Sequence, residues 1–372
     1  MAATYNASSL LDLINRSSVE AKPTPTVADV YYDSWNMTDV TPACRLYNFV
    51  MYALVVGFIC LFGFVGNLVA FIVFCRDKIK TSTSFLFQGL SVIDTLLLTI
   101  VFPLYSVTTF VEYVELYDED DTLAAKEHLL PIAFIFQTAT IWTTVLVGFN
   151  RYIAVCHPFS AARLCTVTQA KKQLTVVLLF SLLYNVPRFA EVPMKLLDID
   201  LYNIIYNNIM YTIFLLLLPV LSLAVLNIKL MSALKKLKRK RAEMQSLRQQ
   251  QDNNVTFVLI IVVIVFIICQ APALVNQILW TLLPESYRDC GGFQFYFRRF
   301  SNTLVTTNSA VNFPIYVLFN TRFRQVLAQT CCLEAQRKDG ATRLIVKTNC
   351  LVNQDRCVGD GASKADVSVT VV

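Results

Sequence analysis

Apolar residues fall in long runs, separated by short polar segments. The runs are Tyr47–Cys75, Ser84–Tyr113, Leu129–Cys156, Leu174–Ala190, Ile204–Met231, Val255–Leu283 and Phe295–Phe319. A helix that crosses a bilayer needs about 20 mostly apolar residues, so the pattern predicts seven membrane spans. The fourth run is short and meets Pro187, and the seventh is unusually polar, with Asn302, Asn308 and Asn312. Pro103, Pro187, Pro219, Pro272 and Pro314 lie inside runs. Neighbouring helices of a bundle can satisfy the backbone groups these prolines free. Gly57, Gly63 and Gly66 on the first run read as close helix packing before dimerisation. No repeat of 20–50 residues and no inverted pair of broken segments is visible, which disfavours a transporter.

Composition agrees. The 372 residues are 55% hydrophobic and 16% charged, where a soluble domain is about one quarter charged. This excludes a disordered chain, a coiled coil and an ordinary cytosolic enzyme. The two histidines, His128 and His157, have no metal-site spacing. No nucleophile–base pair appears among the spans, so no enzyme is predicted.

Lys and Arg set the orientation. One side carries Arg76, Lys78 and Lys80, then Arg163, Lys171 and Lys172, the Lys229–Arg241 block, and Arg322 and Arg324. The other carries Glu112, Glu115, Asp118, Glu119, Asp120 and Asp121. The N-terminus is therefore expected outside and the C-terminus in the cytosol. The net charge of +6 reflects topology, and no nucleic-acid partner is implied. The start of the chain has no apolar core for a cleaved signal, so the first span is expected to act as the export signal. Asn6, Asn15 and Asn36 each open a glycosylation sequon in the predicted outer tail.

Asp94 is the one acid deep within a span. Hydrocarbon is costly for it, so it should face the bundle interior. Asn67, Thr140, Asn308, Ser309 and Asn312 could meet it there, a set that suits a small hard cation; a protonated Asp in a structural network is the alternative. Arg151, at the cytoplasmic end of the third span, either snorkels to the interface or pairs with Asp252.

These residues together resemble rhodopsin-like G-protein-coupled receptors over roughly Asn48 to Cys332. The resemblance is carried by Gly66-Asn67, Asp94, Asn150-Arg-Tyr-Ile-Ala-Val-Cys-His-Pro158 and Pro219. Phe266 with Cys269-Gln-Ala-Pro272, Asn312-Phe-Pro-Ile-Tyr316 and Phe319-Asn-Thr-Arg-Phe-Arg324 extend it. Within that family, Ala154–Thr166 and Phe180-Ser-Leu-Leu-Tyr-Asn-Val-Pro-Arg-Phe189 look like invertebrate FMRFamide-type neuropeptide receptors.

The resemblance implies an all-α membrane protein, a seven-transmembrane helix bundle with a short amphipathic helix after the seventh span. Residues 1–46 would form a glycosylated outer tail, 47–319 the bundle, 320–332 the amphipathic helix and 333–372 a disordered cytoplasmic tail. It implies a plasma-membrane receptor that passes peptide binding outside to a heterotrimeric G protein inside, with arrestin as a further partner. The implied cofactor is none beyond an allosteric sodium ion at Asp94. Asn150, Arg151, Tyr152, Asp252, Ile141, Pro219, Phe266, Pro272 and Tyr316 fall on the family's activation-switch positions. Phe134, Gln137, Gln270, Asn276 and Gln277 fall where ligands bind.

This sequence departs from the family in several places. Asn150 stands for an acid, Gln270 for a Trp, Phe313 for a Pro and Asn227 for a Tyr. The usual outer disulfide has lost both halves: Lys126 stands near the helix-three cysteine, and Arg188–Asn208 contains no cysteine. Helices one and seven are neighbours in this fold, so Cys44 and Cys290 are expected to pair instead. The seventh span has no Lys, which excludes a retinal Schiff base. Ala133 replaces the acid of amine receptors, which leaves a peptide. If that peptide ends in Arg-Phe-amide, Glu112 or Glu191 is the expected partner of its Arg. Cys331 and Cys332 are palmitoylation candidates, and Thr370 with Val372 resembles a ligand for a PDZ-domain scaffold.

Overall fold

Pro42 opens the first helix five residues ahead of the apolar run. Proline is suited to a first helical turn, where its missing N–H has no partner to lose. The structure, a computed structural model, describes residues 41–338 except 80, 117–118, 243–249, 284–286 and 289. The side chains of 119–123, 198, 200, 234, 237–242, 250–259, 281 and 331–338 also lie outside the described set. So do Asn6, Asn15, Asn36, Thr370 and Val372, and the side chains of Asp252, Cys331 and Cys332.

The helices are α1 (Pro42–Arg76), α2 (Ser82–Tyr113), α3 (Glu119–Cys156), α4 (Val167–Ala190) and α5 (Asn203–Ala233, continuing to Ala242). They are followed by α6 (Gln250–Leu282), α7 in two pieces (Phe293–Ala310 and Asn312–Phe319) and α8 (Thr321–Lys338). No strand occurs among the described residues. Thr81 and Thr166 cap α2 and α4, their hydroxyls accepting from the N–H groups of Ser84 and Gln169. The helix after the bundle runs to Lys338, longer than the 320–332 read from its apolar face, because nothing in Leu333–Lys338 breaks a helix. The chain divides into two units, Met1–Thr330 and Cys331–Val372. The described part of the second, 331–338, is helical.

The helices α1 to α6 are each long and apolar enough to cross a membrane. α7 is not, since Arg298, Arg299 and three asparagines interrupt it, yet it packs against α1, α2 and α6. Apolar side chains also cover the outside: Phe58 is 71% exposed and Leu183 69%. Such a surface needs lipid around it. Inside, one core joins Phe74, Phe87 and Tyr316, and another joins Ile141, Tyr206 and Phe266.

Some of the prolines fall where the helix is irregular, while Pro131 and Pro272 lie within regular helix. A widened, π-type turn at Phe102–Val107 contains Pro103, and another at Thr212–Leu217 precedes Pro219. Such turns absorb the backbone bond that proline cannot make. Gly63 and Gly66 let α1 meet α7. A Cβ on Gly63 would sit 2.7 Å from the Ala310 Cβ, and one on Gly66 2.9 Å from the Phe313 Cβ. The glycines thus serve packing within the bundle.

Candidate functional site

A cavity of about 320 Å³ opens among α2, α3, α5, α6 and α7, toward the end of the bundle that carries Cys44 and Cys290. Tyr105, Phe134, Tyr211 and Trp280 supply aromatic wall. Carboxamides are unusually dense: Gln137 from α3, Asn203, Asn207 and Asn208 from α5, Asn276 and Gln277 from α6, and Asn302 from α7. Helical spacing accounts for part of this, since Asn203 and Asn207, one turn apart on α5, share a face. Gln277 Nε2 donates to Asn208 Oδ1 at 2.9 Å, and Asn207 Nδ2 to Asn203 Oδ1 at 3.0 Å. The Asn276 Oδ1 is buried and accepts no hydrogen bond. A buried acceptor left so costs about 1–3 kcal/mol, which a donor brought by a ligand would recover.

Of the residues predicted to touch ligand, Phe134, Gln137, Asn276 and Gln277 line this cavity. Glu112, Glu191 and Gln270 do not, and the reasons are physical. Glu112 Oε1 is held by Lys126 Nζ at 2.6 Å, with both side chains nearly buried. Glu191, 1% exposed, accepts from the Tyr202 hydroxyl at 2.9 Å and pairs with Arg188 at 3.5 Å. Burial pushes its carboxyl above the usual range, against the opposing pull of Arg188, Tyr202 and Asn207. Gln270 is 1% exposed, below the cavity wall.

Most of the wall escaped the sequence reading, including its three cationic residues, Arg188, Arg288 and Arg298. The Arg188 guanidinium lies 3.9 Å from the Phe134 ring centroid and donates to Asn185 and Asn207. The Arg288 and Arg298 guanidiniums lie 4.3 and 4.9 Å from the Trp280 ring centroid. A signal was available. Cations at the end opposite the Lys-rich loops run against the charge bias of membrane insertion.

Two features anchor this end. Cys44, buried on the first turn of α1, is disulfide-bonded to Cys290, and the Tyr296 hydroxyl donates to Cys44 Sγ at 3.6 Å. The Lys126–Glu112 pair joins the start of α3 to the end of α2.

Deeper in the bundle, Asp94 is fully buried. Its Oδ1 accepts from the Thr140 hydroxyl at 2.9 Å and its Oδ2 from Asn312 Nδ2 at 2.8 Å. Asn67 Nδ2 donates to the Ser309 carbonyl at 2.8 Å, leaving its buried Oδ1 without a partner. Asn308 and Ser309 are buried on the adjoining turn of α7. One carboxylate, neutral oxygens and an orphaned amide oxygen make a donor set that fits a small hard cation.

At the far end, Asn150 is 3% exposed and its Oδ1 accepts from Ser82 Oγ at 3.0 Å and Thr83 Oγ1 at 3.1 Å. It ties α3 to α2. Tyr152 is hydrogen-bonded to His157 Nε2 at 3.1 Å. Ile141 and Phe266 share one buried cluster, Pro219 is buried on α5, and Pro272 lies within α6. Tyr316 packs among Phe74, Phe87 and Phe323. The Arg151–Asp252 ion pair lies outside the described residues.

The family description "7 transmembrane receptor (rhodopsin family)" matches residues 66–316. The chain belongs to that family. The receptor is 29% identical over 285 residues to the FMRFamide receptor of Drosophila melanogaster, covering 71% of this chain and 50% of that one. It is 27% identical over 300 residues to the FMRFamide peptide receptor frpr-18 of Caenorhabditis elegans, covering 74% and 68%. The neuromedin-U receptor 2 of Mus musculus is 26% identical, with 81% of each chain covered. The chain thus spans about half the length of the fly receptor. Among solved structures, squid rhodopsin superposes with a TM-score of 0.62 at 15% identity, over 83% of this chain and 95% of that one. That likeness is one of fold.

Proposed function

We propose that this receptor binds a peptide in the carboxamide-lined cavity and signals to a heterotrimeric G protein at the Asn150–Arg151 end. In this reading the disulfide end faces outside at the plasma membrane. An arrestin and a PDZ scaffold engage the cytoplasmic side. Binding there favours one arrangement of the bundle by differential affinity alone. A peptide suits the cavity because backbone amides need paired donors and acceptors, and the wall supplies both.

The finer reading is an amidated peptide ending in Arg-Phe-amide, in line with the names of the fly and nematode relatives. The observation that carries it is the orphaned Asn276 Oδ1. A terminal amide offers N–H donors to such an acceptor, and a terminal carboxylate offers none. The phenylalanine ring would rest against Phe134 and Tyr211, whose rings meet edge to face at 6.1 Å. The ligand's arginine does not pair with Glu112 or Glu191, which Lys126 and Arg188 already neutralise. A sodium ion at Asp94 belongs to the same reading.

The test is nucleotide exchange on G protein in receptor-containing membranes, with FMRFamide and its free-acid form. The amide should be at least tenfold more potent, about 1.4 kcal/mol, and Asn276→Ala should remove most of that difference. Equal potency of amide and acid would reject the amide reading. Exchange unmoved by any amidated peptide would reject peptide reception itself.

A further inference from the structure

A second opening lies on the outer, lipid-facing side of the bundle, apart from the peptide cavity. It is a groove of about 580 Å³ between α3, α4 and α5. Trp142 and Phe149 line it from α3, Val177 from α4, and Leu221 and Val225 from α5. Apart from the Ser222 hydroxyl and the Trp142 indole N–H, its lining side chains are apolar. Phe149, Leu221 and Val225 are exposed, so the groove opens sideways toward lipid. Trp142, edge to face with Phe180 at 5.8 Å, stands at its deep end.

Helical register defines the other end. On α5, Ser222, Val225 and Leu226 are followed at helical spacing by Lys229, which continues the groove-lining stripe. On α3, Phe149 is followed in the same way by Tyr152. The two stripes meet there, with Lys229 Nζ 5.7 Å from the Tyr152 ring centroid. The groove therefore ends at an exposed ammonium, the first cation of the Lys229–Arg241 block. Leu221 lies eight residues before Lys229, about 12 Å along a helix. Half of a hydrocarbon core is about 15 Å, so the groove is one leaflet deep. A partner's membrane-spanning helix would need a track twice as long, whereas the acyl chain of a single leaflet matches it.

We infer that this groove is a lipid site, which takes one acyl chain of an anionic phospholipid of the cytoplasmic leaflet, with the lipid phosphate on Lys229. The apolar lining supplies no preference among headgroups, so selection rests on the cation at the rim. An anionic headgroup gains about 1 kcal/mol from each Lys or Arg near the membrane surface. The assignment of leaflet rests on the Asn150–Arg151 end facing the cytosol; the lipid contact itself does not. A chain seated there touches α3, α4 and α5 together and holds them side by side.

The receptor is reconstituted in nanodiscs of equimolar phosphatidylcholine and phosphatidylglycerol with the same palmitoyl and oleoyl chains, then released into detergent. Native mass spectrometry counts the lipid each receptor retains. Wild type should keep phosphatidylglycerol over phosphatidylcholine by about fivefold, the factor expected of one cation near an anionic headgroup. Lys229→Gln should bring the ratio close to one. Ser222→Phe fills the groove and should remove the preference although Lys229 remains. Lys171, a cation of the same membrane face, lies 5.9 Å from the Phe85 ring centroid, against α2 and away from the groove. Lys171→Gln should leave the ratio unchanged. Equal retention of the two lipids by wild type overturns the inference, as does a preference that survives Lys229→Gln. A loss of equal size in Lys171→Gln means diffuse attraction to a basic face and overturns it too. A preference lost in Lys229→Gln but kept in Ser222→Phe overturns the placing of the chain. Should Ser222→Phe fold poorly, Val225→Phe fills the groove from its exposed edge and gives the same test. No peptide enters these measurements, so their failure leaves peptide reception standing, and a receptor silent to every peptide leaves the lipid site standing.

Discussion

Replacing Lys126 by Met should destabilise this receptor more than any single change at its outer loops. Lys126 Nζ lies 2.6 Å from Glu112 Oε1, and the side chains are only 9% and 12% exposed. With an effective dielectric constant near 20, the gross attraction at that distance is about 6 kcal/mol. Desolvation of the two ions offsets much of it, so the net value of the pair is small. The asymmetry matters more than the net. Lys126→Met leaves Glu112 buried with no counter-charge, a change of the kind that costs about 3–5 kcal/mol. Glu112→Leu leaves the ammonium stranded and should cost a similar amount. The double variant buries two apolar side chains and should lie within about 1 kcal/mol of wild type, or above it.

Thermal inactivation of the detergent-solubilised receptor, wild type and the three variants, measures this cycle. Both single variants should inactivate at clearly lower temperature, and the double variant should recover. Additive losses would refute the reasoning, since they would mean that neither charge depends on the other. The place of the pair gives the result functional meaning: Lys126 stands near where the family anchors the third helix by a disulfide. Here an ion pair to the end of α2 fixes the start of α3, and with it Phe134 and Gln137 on the cavity wall.

Gly63→Ala should cost about 1–3 kcal/mol by overpacking, because the new Cβ would meet the Ala310 Cα at 2.9 Å; an unchanged inactivation temperature would contradict the close approach of α1 to α7. Asp94→Asn should abolish any shift in inactivation temperature between sodium and choline buffers, and a shift that survives would place the cation elsewhere. Burial raises the Glu191 carboxyl above the usual range, so the folded chain holds that proton more tightly than the unfolded one. The stability from this group is then fully present below the ordinary glutamate value and is lost as pH rises through the raised one. Glu191→Gln should flatten that part of the stability–pH curve, and a wild-type curve that falls relative to the variant on acidification would reject the assignment.

The apolar runs made the spans legible because burial of backbone in lipid requires long helices, and no finer pattern was needed. The seventh run, Phe295–Phe319, is the most polar, and its helix falls short of the length and apolarity of the other six; Asn312-Phe-Pro-Ile-Tyr316 marks it a second time, by motif. The surroundings of Asp94 were legible likewise, since a single buried acid must find partners, and Thr140 and Asn312 do donate to it. Helical position places Phe134, Gln137, Asn276 and Gln277 on the cavity wall, as their spacing suggests. Glu112 and Glu191 stand off that wall, each beside a cation of its own. Arg188 lies three residues before Glu191, one helical turn, so that pairing was open to inspection. Lys126 lies fourteen residues beyond Glu112, across a loop, and only the fold brings them together.

Acids and cations at the outer end have different physical causes. Membrane insertion explains acids there and disfavours cations, so each cation at that end needs a local cause. Arg188 has Glu191, and Arg299 has Asn48 Oδ1 at 2.6 Å with the Phe295 ring 3.6 Å beneath it. Arg45 has Glu115 at 2.9 Å. Arg288 and Arg298 both lie against the Trp280 ring, and Arg288 also donates to the Trp280 carbonyl. Glu112 and Glu191, the acids expected to meet a basic peptide, are engaged within the fold by Lys126 and Arg188, and the pairing follows from where α2, α3 and α4 end.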